Sequence, residues 1–114
     1  MAKVLVVDDH LDVASLLAAL VISMGQEARF TSSCIDALPI AEEFQPDVVF
    51  VDVDMPQVGG LECARLLRAL LRDEVRMFGM SCYPLEDWPD RPQGFERYLL
   101  KPVLGKTLRE ILSE

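Results

Sequence analysis

Two short stretches of the chain place carboxylates directly after apolar runs. "KVLVVDD" ends on Asp8 and Asp9, and "VVFVDVDMP" carries Asp52 and Asp54 two positions apart. A carboxylate in such a place can be a nucleophile, a metal ligand, a modulator or a solvated turn residue. Two other groups follow apolar runs in the same manner: Ser81 closes "VRMFGMS", and Lys101-Pro102 follows "RYLL". If one edge of the fold collects Asp8, Asp9, Asp52, Ser81 and Lys101, three carboxylates, a hydroxyl and an ammonium share a crevice. Anions packed that closely repel one another unless a cation joins them. A hard divalent ion held by one or two carboxylates, a backbone carbonyl and waters suits Mg2+, with Lys101 as a further positive charge.

Whether they meet depends on the elements that carry them. "KVLVV" is a short β-branched run and predicts a strand from Lys3 to Val7. Leu11, Ala14, Leu17, Leu20, Val21 and Met24 recur at helical spacing, and Gly25 supplies a stop. "EARFTS" predicts a second strand near a sheet edge. Ser32 or Ser33 can cap the next helix, with Asp36 in its first turn and Pro39 inside it, where a kink is expected. Val48 to Asp52 is a third strand, apolar enough to be buried on both faces. "LECARLLRALLR" is an amphipathic helix with Arg65, Arg68 and Arg72 on its polar side. "VRMFGMS" and "RYLL" make the fourth and fifth strands, and Leu104 to Leu112 a short closing helix. Between Cys82 and Gly94, Pro84, Pro89 and Pro92 crowd a segment that also holds Trp88; no ordinary helix survives that density of proline.

Strands alternating with helical crossovers predict an α/β fold: a parallel sheet covered on both faces and doubly wound. Such sheets place their sites at the carboxyl ends of the strands. Asp8, Asp9, Asp52, Ser81 and Lys101 all fall on that edge.

Composition narrows the function classes. The 114 residues fit one compact domain, 1–114, with no output domain visible. An apolar content of 51% argues against disorder, and no apolar run reaches the ~20 residues needed to cross a bilayer. A cytoplasmic protein is expected, without a membrane association. The net charge of −8 argues against nucleic acid as a direct partner. Cys34, Cys63 and Cys82 lie in or beside apolar segments with no C-x-x-C spacing, so buried reduced thiols are expected.

The order "VLVVDDH", "PDVVFVDVDMPQVGG", "MSCY", "RYLLKPV" resembles the response-regulator receiver domains of two-component phosphorelays, and the resemblance covers essentially the whole chain. It implies a flavodoxin-like five-stranded sheet in order 2-1-3-4-5. It implies that Asp52 accepts a phosphoryl group from a phosphohistidine on a sensor histidine kinase or a histidine phosphotransfer protein. Asp9, Asp52 and the backbone carbonyl of Asp54 would ligate Mg2+, with Asp8 holding it through water. Lys101 and Ser81 would contact phosphoryl oxygens, and Ser81 and Tyr98 would shift together as the switch. The Lys101-Pro102 bond would be cis, and Gly60 stands where the family has its usual glycine. A downstream protein would read the switch, and a weak homodimer is a further partner to consider.

The chain also departs from that pattern. The Pro84 to Pro92 stretch occupies the place of the family's fourth helix, which is expected to be degraded or replaced by a loop. Trp88 there would pack back on the domain or anchor a partner. Asp54, Cys82 and Tyr83 flank the acceptor and the hydroxyl residue and are expected to modulate access and slow the loss of phosphate. No conventional turnover is expected, only self-phosphorylation from a phosphodonor and slow autodephosphorylation. His10 is not expected to be a phosphodonor. Two other readings stand beside the phosphorylated switch: a pseudo-receiver that works as an interaction module without phosphate, and a phosphatase of haloacid-dehalogenase type, whose D-x-D motif "VDVDM" resembles.

Overall fold

The structure, a computed structural model, describes residues 1–55, 59–84 and 94–113. Its elements in chain order are β1 (Lys3–Val7), α1 (Leu11–Ser23), β2 (Glu27–Thr31), α2 (Cys34–Phe44), β3 (Val48–Asp52), α3 (Gly60–Leu70), β4 (Arg76–Ser81), β5 (Arg97–Leu100) and α4 (Gly105–Leu112). The five strands are parallel, in the order β2-β1-β3-β4-β5. None of the described helices is long and apolar enough to cross a membrane. The expectation of a degraded fourth helix, and that for Trp88, fall on residues 85–93, outside the described residues.

Period-two alternation along the inner strands explains the double winding. Leu5, Val7, Val49, Val51 and Met77 face one side, where Ala37, Ala41, Cys63, Ala64 and Leu67 of α2 and α3 cover them. Val4, Val6, Phe50, Phe78 and Met80 face the other, under Ala14, Leu17 and Val21 of α1 and Leu108 and Ile111 of α4. Phe50 and Phe78 stack across neighbouring strands at 5.3 Å. Every residue of β3 is buried, which the central place of that strand requires. Burying an aliphatic or aromatic side chain of this size contributes roughly 1.5–3 kcal/mol, so these two layers fix the register of the sheet edge.

Ser33 caps α2 by accepting the Asp36 N–H at 3.1 Å, and the helix runs on through Pro39 to Phe44. Leu11 is 53% exposed, so the first apolar position of α1 lies off its buried stripe. Gly60 opens α3 pressed against the end of β3: a Cβ there would stand 2.0 Å from the Asp52 carbonyl oxygen. No other residue type permits that approach.

The expectation of three buried reduced thiols is corrected. Cys34 and Cys63 form a disulfide, and Cys82 is free and exposed. An apolar neighbourhood predicts burial, and both bridged cysteines are buried. It carries no information on which helices will face each other. Packing of α2 on α3 brings the two Cα atoms to 5.7 Å, within the range a disulfide spans.

Candidate functional site

The register brings the polar residues level. Val7 pairs with Val51, so Asp8 follows β1 beside Asp52, the last residue of β3. Asp52 pairs with Met80, which places Ser81 one step further along β4. Ser81 pairs with Leu100, and Lys101 follows. The ladders extend past the strands: the Asp8 N–H donates to Thr31 O at 3.1 Å, Val53 N–H to Met80 O at 2.9 Å and Lys101 N–H to Ser81 O at 2.8 Å. The carboxyl ends of four strands thus form one rigid rim. The Lys101-Pro102 peptide at that rim is cis.

Asp8, Asp52 and Ser81 are fully buried at the rim. The Lys101 ammonium stands 2.9 Å from Asp8 Oδ2 and 3.4 Å from Asp52 Oδ2. Asp52 Oδ1 accepts the Asp54 N–H at 2.9 Å. Asp8 Oδ1 accepts the His10 N–H at 2.9 Å, and the His10 ring lies above the acids with Nδ1 3.2 Å from Asp9 Oδ1.

Burial first of all, then a hydrogen bond with Asp9 and the charge of Asp8, push the Asp52 carboxyl up to about 7; the Asp54 N–H and the Lys101 charge pull against this. For Lys101 burial works to lower the value. The hydrogen bond to Asp8 and the charges of Asp52 and Asp8 outweigh it, and the ammonium is held above its ordinary range. Among the described residues Lys101 is the ammonium or guanidinium in contact with Asp8 and Asp52, and its single charge only partly neutralises the acids.

The donor set fits a hard divalent ion. Asp8 Oδ2, Asp9 Oδ1 and Asp52 Oδ2 are buried oxygens without a hydrogen-bond partner among the described residues, their contacts with Lys101 and, for Asp9, with the His10 ring being ion-pair contacts. Ligand atoms of Asp8, Asp9, His10 and Asp52 all lie within 4.8 Å of one another. Oxygens that only accept, buried together, call for a cation.

Beside this cluster the Asp54 side chain turns toward β4. Its Oδ2 accepts both the Ser81 hydroxyl at 2.9 Å and the Cys82 N–H at 3.1 Å. Ser81 Oγ in turn accepts the Tyr83 N–H at 3.0 Å. Tyr98 is half-buried on β5 and edge-on to Phe95 at 6.0 Å. The exposed side chains of Cys82 and Tyr83 lie at the outer rim.

The structure thus gathers Asp8, Asp9, Asp52 and Lys101 in one cluster and joins Ser81 to Asp54 next to it. Sequence reasoning missed two relations. Placing His10 over the acids had no signal beyond its adjacency to Asp9. The engagement of the Asp54 carboxylate by Ser81 and Cys82 joins residues 27 and 28 positions apart, which no local pattern relates.

Residues 4–113 match the response regulator receiver domain family. An uncharacterized response regulatory protein of Vibrio cholerae is 33% identical over 121 residues, covering 100% of this chain and 50% of the relative. The chain therefore spans about half the length of that relative. A CheY-like response regulator receiver domain from Methylobacillus flagellatus superposes with a TM-score of 0.88 at 28% identity, covering 99% of this chain and 97% of that one. The response regulator TrrA of Thermotoga maritima, solved in complex with Mg2+-BeF, superposes with a TM-score of 0.85 at 25% identity over 99% and 97% of the two chains.

Proposed function

The chain belongs to the response regulator receiver domain family of two-component signalling, and on that premise we propose that Asp52 accepts a phosphoryl group from a partner's phosphohistidine in a Mg2+-dependent step. The observation that carries this reading is the buried Asp52 carboxylate, set between further acids and the Lys101 ammonium.

In the step, a carboxylate oxygen of Asp52 attacks phosphorus, the phosphorus–nitrogen bond of the donor breaks, and its electron pair returns to the imidazole. The Asp54 N–H holds Asp52 Oδ1, which fixes the orientation of the nucleophile. Lys101, already 3.4 Å from Asp52 Oδ2, is placed to meet negative charge on the transferred oxygens. Ser81 supplies a neutral donor on the same side. Asp9, Asp52 and the Asp54 carbonyl would hold Mg2+, with Asp8 acting through water. When bound, the ion neutralises the acid cluster and favours the charged, nucleophilic form of Asp52. The added charge would then draw Ser81 inward and let Tyr98 follow, a local electrostatic change read by a protein target. The structural neighbour TrrA, solved in complex with Mg2+-BeF, supports Mg2+ as the ion.

A phosphatase of D-x-D type is less well supported. The motif closes β3, and the Asp54 carboxylate is taken up by Ser81 and Cys82, so it is not placed as a free acid and base. The partners proposed are a histidine kinase or histidine phosphotransfer protein upstream and a protein target downstream.

Acetyl phosphate with Mg2+ should add one phosphoryl group per chain by intact-mass measurement, with no addition in Asp52→Asn or under EDTA. An unmodified wild-type chain, or equal modification of Asp52→Asn, would sink the reading.

A further inference from the structure

We propose that the Asp54 carboxylate is a built-in occupant of the anion subsite beside Asp52, and that an incoming anion must displace it. This rests on the reading of Asp52 as phosphoryl acceptor.

The donors that Asp54 holds are those an anion on Asp52 would meet. Ser81 Oγ accepts the Tyr83 N–H at 3.0 Å, which orients the hydroxyl, and its single proton goes to Asp54 Oδ2 at 2.9 Å. The Cys82 N–H, free of any ladder duty at the end of β4, converges on the same oxygen at 3.1 Å. Two donors meeting on one carboxylate oxygen form a small oxyanion site, and hydrogen bonds to a charged acceptor are about twice as strong as neutral ones. The backbone links that occupant to the nucleophile, because the Asp54 N–H donates to Asp52 Oδ1 at 2.9 Å. The residue therefore bridges the two, with its backbone N–H on the acceptor carboxylate and its side chain on the donors opposite.

Asp54 is exposed, whereas Ser81 is fully buried. The carboxylate can swing into water at little solvation cost, while the donors cannot leave. A second anion on the same donors would face repulsion from Asp54, so occupancy is exclusive. In the resting protein Asp54 keeps Ser81 aimed at the site and at the same time withholds it. Asp54 is thus a positioning residue that sets the threshold for anion entry, distinct from a group that screens attacking water.

Beryllofluoride with saturating Mg2+ is the probe, titrated into wild-type, Asp54→Ala, Asp54→Asn and Asp52→Asn full chains by calorimetry. In parallel, the Cys82 amide is followed by NMR in the metal-free, probe-free proteins. Asp54→Ala is expected to bind the probe about tenfold or more tightly than wild type, consistent with loss of a competing charged hydrogen bond. Asp54→Asn, which keeps an acceptor without the charge, is expected in between and serves alone if the alanine variant does not fold. The Cys82 amide proton is expected to move upfield in Asp54→Ala and back downfield when the probe is added. Equal or weaker binding by Asp54→Ala, or an unmoved Cys82 amide, overturns the proposal. With Asp52→Asn inert and wild type binding, that result leaves the acceptor reading standing. Absence of binding in wild type and both Asp54 variants overturns both.

Discussion

The Lys101 ammonium lies closer to Asp8 than to Asp52, at 2.9 Å against 3.4 Å. This lysine is first of all the counter-ion of Asp8, a fully buried acid, and only then of Asp52. Lys101→Met keeps the apolar stem and removes the charge, leaving Asp8 without its partner. Removing one member of a buried pair costs about 3–5 kcal/mol, and the small exposure of Lys101 places the expected loss near the lower figure. Mg2+ should restore much of that loss, since it supplies the missing positive charge. Thermal unfolding with and without Mg2+ is the measurement; the same destabilisation under both conditions would contradict the assignment.

Asp52 makes stability depend on pH in a direction opposite to an ordinary paired carboxylate. Its carboxyl sits at about 7 in the folded protein and near 3.8 otherwise. Between those values the folded chain keeps a proton that the unfolded chain has released, so stability falls as pH rises from about 4 to about 7. Lys101, raised above 10.5, contributes only at higher pH and leaves this window alone. In metal-free protein Asp52→Asn should be the more stable form at pH 8, by on the order of 2 kcal/mol, with the difference shrinking toward zero at pH 4. Added Mg2+ should reverse the order at pH 8. Denaturant midpoints for both proteins across this range provide the test, and a wild type more stable than Asp52→Asn at pH 8 without metal would refute it.

The bridge between Cys34 and Cys63 closes 29 residues of sequence between α2 and α3. The chain-entropy model assigns such a loop about 3–4 kcal/mol. Reduction, or Cys63→Ala, should lower the urea midpoint accordingly. A thiol reagent should titrate one group in the native protein, the exposed Cys82, and all three cysteines after reduction and unfolding. Three reactive thiols without reductant would rule the bridge out.

Much of the fold was legible because each local signal agreed with the topology. The run Val48 to Asp52 has no polar position before its last residue, and only a central strand of a two-sided sheet needs that. Asp8, Asp52, Ser81 and Lys101 could be placed on one edge because the carboxyl end of a strand is a sequence position as well as a place in space. Contacts made by side chains reaching sideways were not legible. The Asp54 carboxylate could have faced water, the metal site or β4, and two-residue spacing from Asp52 does not choose among these. The same holds for Cys34 and Cys63, whose pairing depends on how α2 and α3 roll against one another. Leu11 failed for a simpler cause: at the first position of α1 it lies beyond the layer that Ala14 and Leu17 cover.

The strand order has a temporal consequence. Asp8, Asp9 and Asp52 come from β1 and β3, whereas Lys101 follows β5. A chain growing on the ribosome presents the three acids well before the counter-charge exists. Until β5 docks on β4, that nascent edge is an anionic rim without its lysine counter-charge, which opposes close packing. The charge balance of the rim is therefore the last part of the fold to be completed, arriving only when the final strand brings Lys101 to Asp8 and Asp52.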